Sequence, residues 1–192
     1  MGVAIAEEAL SRGAKVTLVY GSGSEAPPSR AHVLKVESTQ QMHEAVVSEL
    51  NSRKYDLVVA VAAAADWALE KPFSYKVSSH EVRSLDLKLK PTAKIIDSVK
   101  KVSPQTLLVA FRAEYKLPKK RLIESAYERL LKANADIIVV NDVGKKGVGF
   151  ATDTNEVFII DKEKSIVHVP LAKKREVARK ILDFTIGRIK PK

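Results

Sequence analysis

The chain has 192 residues, of which 45% are hydrophobic and 29% charged, with a formal net charge of +10 and no cysteine. This length and balance predict one soluble domain, residues 1–192, with enough chain to bury a core. The lack of cysteine excludes disulfides, cysteine-ligated zinc and thiol catalysis; no apolar run reaches the roughly 20 residues of a membrane span, and a cytoplasmic location is the expectation.

Residues 2–12 predict a helix and 15–20 a buried strand; a helix running into a strand through Gly13 is the second half of a β-α-β unit. Short β-branched and apolar runs predict strands at 33–37, 56–61, 106–111 and 136–141. Ser38 stands three residues before Gln41, a capping-box spacing that opens a helix to residue 53 with Met42, Ala45, Val46 and Leu50 on one face. Residues 91–102 read as a shorter helix with Pro91 near its start, and 119–135 as a helix with Leu122, Ala126, Leu130 and Ala133 on one stripe. Strands alternating with helices predict an α/β fold, a Rossmann-like parallel sheet with helices on both faces. Two regions break the rhythm. LDLKLK at 85–90 alternates like an exposed strand in a flap. EVFIIDKEKSIVHVP at 156–170 reads as an antiparallel hairpin, followed by a closing amphipathic helix from 172 to about 189.

In an open parallel sheet, ligands bind beyond the carboxyl ends of the strands. There, DLVVAVAAAADW ends in four alanines and Asp66. Small side chains let a ligand approach the backbone, whose amides and carbonyls can read a base edge; the same alanines also suit helix–sheet packing, and Asp66 can cap a turn. The strand ADIIVVNDV ends in Asn141-Asp142 before a loop with three glycines, which is neither a Walker loop nor a dinucleotide fingerprint. No Gly-x-Gly-x-x-Gly turn exists, so a dehydrogenase-type Rossmann domain lacks its phosphate turn. The four histidines show no metal-ligand spacing. The basic charge attracts polyanions and makes a nucleic-acid-binding module a rival reading. Against it, the aromatic residues, only 6% of the chain, do not interleave with the basic clusters at 119–121 and 173–175.

VAAAAD, then Tyr75-Lys76, LKLKPTAKII, LLVAFRAE, ADIIVVNDV and GVGFATDTNEVFII follow one another in an order and spacing that resemble phosphopantothenoylcysteine synthetase over essentially the whole chain. The resemblance implies a ligase of coenzyme A biosynthesis that joins 4′-phosphopantothenate to L-cysteine. CTP, or alternatively ATP, with Mg²⁺ would activate the carboxylate as an acyl-nucleotide with release of pyrophosphate; the cysteine amine would then displace the nucleoside monophosphate. It further implies a homodimer and fusion or association with a flavin-dependent decarboxylase, with no nucleic acid or membrane partner. A truncated chain acting only as partner of that decarboxylase is the alternative within the family.

By the same resemblance, Ala60, Val61 and Ala62 match the family's base-reading backbone segment, Asp66 its nucleotide-contacting Asp, and Ala63 the path of the acyl group. Lys76 matches the first lysine of a Lys-x-Lys-Lys signature, the catalytic lysine of acyl-nucleotide formation; here the string is KVSS, so the later lysines are absent. Ala93, Lys94, Ile95 and Ile96 fall where the family offers a helix N-terminus to the nucleotide. Phe111 matches a phenylalanine near the nucleotide; Arg129 and Ala133 fall on two family lysines of the long helix. Asn141 belongs to an Asn-Asp-Val turn that shapes the substrate site. In the family, a strand, a glycine-rich loop and an Ile-Ser-Asn-x-Ser-Ser-Gly-Lys segment precede the helix seen at 2–12. The domain is therefore expected to be N-terminally truncated relative to the family, its sheet short of one central strand and its unpaired ladder groups in need of cover.

Overall fold

The structure is a computed structural model that describes residues 1–78, 80, 83–149 and 152–189. Helix α1 (Gly2–Ser11) turns through Gly13, at φ +83°, into strand β1 (Thr17–Tyr20), followed by β2 (His32–Lys35). Helix α2 (Thr39–Ser52) carries the expected capping box: the Ser38 hydroxyl accepts from the Gln41 amide and the Gln41 side chain accepts from the Ser38 amide. Strands β3 (Leu57–Ala60), β4 (Trp67–Leu69) and β5 (Leu89–Pro91) precede helix α3 (Ile95–Val102). Then come β6 (Leu107–Glu114), α4 (Lys119–Ala133), β7 (Ile137–Asp142), β8 (Thr154–Asp161), β9 (Ile166–Lys173) and α5 (Lys174–Ile186).

The main sheet has the order β3-β6-β7-β8-β9, with β3, β6 and β7 parallel and the β8–β9 hairpin added antiparallel. Alternate residues along each strand face opposite layers. Ala110, Ile138, Val140 and Phe158 meet α2, α3 and α4 through Leu50, Val99, Leu122 and Leu130. Val109, Ile137, Val139 and Ile159 meet α1 and α5 through Ile5, Val177 and Ile181. The expected α/β sheet with helices on both faces, flap and C-terminal hairpin is therefore present.

Three details differ from the sequence reading. Pro91 does not open a helix: it ends β5, opposite Trp67, and the helix begins at Ile95. Proline lacks the amide a ladder needs and so sits at an edge strand. The exposed strand expected over 85–90 is confined to β5. Strand β6 runs on to Glu114 because β7 pairs with it up to Asp142. Ser79 of the KVSS string and Phe150-Ala151 of GVGFATDTNEVFII lie outside the described residues.

Strands β1 and β2 form a separate parallel pair, and no backbone hydrogen bond joins β1 to β3 among the described residues. Both β1 and β3 are half-buried along their length, and a seam without backbone hydrogen bonds separates the two sheets. Tyr55 bridges it: its hydroxyl donates to the Glu49 carboxylate and accepts from the Thr17 hydroxyl at 3.0 Å. Arg30 donates to the Leu10 carbonyl at 3.1 Å, tying the β1–β2 loop to α1.

At the amino edge of the main sheet, Asp136 accepts from Lys100 at 2.5 Å, Lys162 at 3.0 Å and the Leu108 amide at 2.8 Å. Burial pushes this carboxyl up, but the two lysines and the amide outweigh it and hold it below its ordinary value. A depressed carboxyl contributes stability above its unfolded pKa, about 3.9, that is lost as pH falls through the folded value. Asp136→Asn should therefore cost about 1–3 kcal/mol at pH 7. In urea unfolding followed across pH, that difference should shrink below about pH 4.

Candidate functional site

Beyond Ala60 the chain leaves regular structure through Val61–Ala65, with Ala62 to Ala65 exposed, so a ligand meets backbone there with little side chain in the way. Two polar side chains hold this segment. Thr92 donates its hydroxyl to the Ala65 carbonyl at 2.6 Å and its amide to the Asp66 carbonyl at 2.9 Å. Thr39, in the first turn of α2, reaches the same Ala65 carbonyl at 3.5 Å. Residues 62–66 thus run past the N-termini of α2 and α3, where helix dipoles favour negative charge.

Lys94 is the N-cap of α3 and its ammonium pairs with the Asp66 carboxylate. A cation at a helix N-terminus is unfavourable by itself, and Asp66 compensates it. Beneath them Arg129, from α4, donates to Asp97 in the first turn of α3 at 2.7 Å. Arg129 Nη1 is the one buried side-chain nitrogen or oxygen without a hydrogen-bond partner among the described residues. The N-terminal turn of α3 therefore carries two cations and two carboxylates.

On the opposite face, Phe111 pairs with Val139 and Asn141 with Ala113, which sets Phe111 and Asn141 on one side of the adjacent β6 and β7 ends. Asp142 faces the other way and is buried; its Oδ1 accepts from the Lys116 amide at 2.7 Å and the Gly144 amide at 2.9 Å. One carboxylate oxygen thus clamps the β6–α4 and β7–β8 loops together. On α4 side, Ser125 donates to Glu114 at 2.9 Å.

Of the residues singled out from sequence, Ala60 to Ala63, Asp66 and Ala93 to Ile96 are brought together by Thr92 and Lys94. Arg129 is under the same helix end, and Phe111 and Asn141 lie along the same sheet edge. Ala133 is not with them: α4 runs away from this edge, and Ala133, at its far end, is buried near the start of β7. Lys76 sits exposed on the loop between β4 and β5 and makes no hydrogen bond or ion pair to the described residues. Thr39, Thr92 and Asp97 were missed because a lone threonine or aspartate carries no spacing signal. Asp142 was visible only as half of the Asn-Asp pair.

A parallel β3-β6-β7 core extended by an antiparallel hairpin and covered by helices on both faces, with two helix N-termini and exposed backbone at its carboxyl edge, defines a layered α/β domain. The chain belongs to the DFP family, described as the DNA/pantothenate metabolism flavoprotein C-terminal domain, which matches residues 1–188. It is 38% identical over 183 residues to the coenzyme A biosynthesis bifunctional protein CoaBC of Thermococcus kodakarensis, covering 95% of this chain and 43% of that protein. It is 34% identical to the CoaBC of Bacillus subtilis, with the same coverage. The chain thus spans less than half the length of these curated relatives. Among solved structures, the C-terminal domain of a CoaBC protein superposes with TM-score 0.75 at 31% identity, covering 95% of this chain and 79% of that one. A Cab2 mutant in complex with phosphopantothenate-cysteine shares the fold, at TM-score 0.61 and 15% identity.

Gly144 has no room for a side chain: an added Cβ would lie 2.6 Å from Lys116 Cγ, 3.0 Å from the Lys116 amide nitrogen and 3.1 Å from Asp142 Oδ1. Gly144→Ala should force the clamp open at a cost of about 1–3 kcal/mol. Hydrogen exchange should register it as lost protection at the Lys116 and Gly144 amides, with the β6 and β7 ladders unchanged.

Proposed function

We propose that residues 1–192 act as one synthetase domain that joins 4′-phosphopantothenate to L-cysteine through an acyl-nucleotide. The observation that carries this reading is the cradle at the carboxyl edge: exposed backbone at Ala62–Asp66 beside the α3 N-terminus, with Lys94 and Arg129 beneath and beside it. Family membership and the names of the CoaBC relatives support the same reaction.

In this reading a carboxylate oxygen of 4′-phosphopantothenate attacks the α-phosphorus of CTP, or ATP, and pyrophosphate leaves. The cysteine amine then attacks the acyl carbon, losing a proton, and the nucleoside monophosphate departs with the former carboxylate oxygen. No protein nucleophile is needed. The chain's task is to hold the two reactants in line and to supply positive charge where the phosphate charge builds up. Ala60, Val61 and Ala62 offer backbone to the base, Ala63 borders the acyl group, and Asp66 takes nucleotide hydroxyls by exchanging its bond to Lys94. Lys94, with the amides of Ala93 to Ile96, faces the anionic portion. Lys76 is the lysine of acyl-nucleotide formation and arrives with the flap.

Among the described residues no group of three or more His, Cys, Asp or Glu could hold a metal. Mg²⁺ would accompany the nucleoside triphosphate and would supply neutralisation of its phosphate charge. No helix among the described residues is long and apolar enough to cross a membrane, and a cytoplasmic location suits the substrates. The bifunctional relatives, of which this chain matches less than half, leave room for a second functional unit beside it, and association with a decarboxylase is the alternative role of the same chain.

Calorimetric titration with CTP and then ATP, each with Mg²⁺, tests the site. One nucleotide should bind, and Asp66→Asn or Lys76→Gln should weaken it by about tenfold, some 1.4 kcal/mol. Binding of neither would overturn the reading. The flap bears Trp67, Tyr75, Leu85, Leu87 and Leu89 exposed on a two-stranded hairpin, and such a hairpin is marginal unless covered. We assign that cover to the flap of a second copy. Sedimentation should give a dimer, and Leu87→Asp should shift it to monomer while leaving the far-ultraviolet circular dichroism unchanged.

A further inference from the structure

The β8–β9 hairpin is irregular at one point. Asn155 pairs with Ala172 and Val157 with Val169, so Glu156 alone stands where β9 supplies both Pro170 and Leu171. The extra residue on β9 breaks the regular register there, and the Glu156 amide donates to the Asn155 side chain, Oδ1 accepting at 3.1 Å. The same oxygen accepts from Asn141 Nδ2 at 3.2 Å. Asn155 is 3% exposed, so water has little access to either bond.

These two bonds settle which way both carboxamides point. A backbone amide can only donate, so the Asn155 atom facing Glu156 is its oxygen. Asn141 must then offer nitrogen to that oxygen, which sends its own oxygen to the other side. From outside the bulge, Glu156 holds Lys145 at 2.9 and 3.0 Å and His168 at 2.8 Å, pinning the β7–β8 loop to the hairpin. Burial pushes the Glu156 carboxyl up, but Lys145 and His168 outweigh it and keep it below its ordinary value, so this pin persists at neutral pH.

We infer that Asn155 is a positioning residue that locks the Asn141 carboxamide with its oxygen presented as a hydrogen-bond acceptor at the carboxyl edge of β7, toward an N–H or O–H donor of the acyl substrate. The substrate part rests on the proposed function. 4′-Phosphopantothenate carries such donors in its amide and hydroxyl groups, whereas a nucleotide held at the α3 end of the edge does not depend on Asn141. Asn155 thereby separates the two ligands: it sets affinity for the acyl substrate and leaves affinity for the nucleotide alone.

The test uses three forms of the whole chain. Asn155→Asp keeps an oxygen acceptor for both donors; Asn155→Leu keeps the volume and removes it. In the wild type, the two side-chain amide protons of Asn141 should give separate, slowly exchanging nuclear magnetic resonance signals that shift when 4′-phosphopantothenate is added. Those signals should persist in Asn155→Asp and average with solvent in Asn155→Leu. By calorimetry, Asn155→Leu should lose about tenfold in affinity for 4′-phosphopantothenate and Asn155→Asp no more than about threefold, with CTP affinity unchanged in both. An Asn141 amide that already averages in the free wild type overturns the lock. An Asn155→Leu form that keeps its 4′-phosphopantothenate affinity, or loses CTP affinity equally, overturns the positioning role. A wild type that binds CTP but no 4′-phosphopantothenate sinks the substrate assignment, and the amide signals then decide the lock on their own.

Discussion

Everything at the carboxyl edge follows from one constraint on backbone polar groups: a half-buried strand must satisfy its amides and carbonyls. Strands β6 and β7 do so on both sides, and their side chains form the two core layers. Strands β1 and β3 do so on one side only, and the molecule spans the resulting seam with side chains and helices rather than a ladder. Tyr55 reaches across to Thr17, Arg30 to the end of α1, and Gly2 lies close enough that an added Cβ would stand 3.2 Å from Val61. The alanine-rich segment after β3 leaves the main sheet beside this seam.

Charge is divided between the two edges of the sheet in a way that matches this geometry. At the amino edge, Asp136 with Lys100 and Lys162, and Asp161 with Arg188, are multiply bonded pairs with little exposure of the carboxylates. Burial pushes the Asp161 carboxyl up, but Arg188 and the Ser165 amide outweigh it and keep it low. Breaking such pairs strands a charge, so they fasten β7, β8, α3 and α5. At the carboxyl edge the Asp66–Lys94 pair is largely exposed, with side chains 69% and 45% accessible. Exposed pairs contribute about 0–1 kcal/mol, so a ligand can take over either partner at small cost. The same residue types thus serve as fasteners at one end and as exchangeable contacts at the other.

The sequence made the periodic part legible. Helix α2 was readable from its capping box, α4 from the Leu122, Ala126, Leu130 stripe, and the central strands from their β-branched runs. What it could not convey was pairing. Pro91 looks like a helix opener until Trp67 is found opposite it. Nothing near Asn155 announces a partner, because the irregularity beside it is a register shift against the neighbouring strand β9. Thr92 and Thr39 act through carbonyls of another segment, and such contacts leave no spacing signal.

Arg129 and Ala133 show why a motif position and a side-chain location differ. They are one helical turn apart on α4 and share a face, yet α4 is inclined away from the edge at which α3 begins. A long guanidinium at the upper position still reaches Asp97. An alanine at the lower one fills space against the start of β7, a job its small apolar side chain does well. Lys76 is the converse case. Its separation from Asp66 reflects the flap rather than the sequence interval, because a two-stranded hairpin with apolar residues on exposed surface has its position set by whatever it packs against. The sheet edge is fixed by its ladders and by the Asp142 clamp, whereas the flap is held at its base by the β4–β5 ladder and the contacts of Thr92. The domain therefore pairs a rigid strand edge with a hairpin whose geometry depends on what covers it.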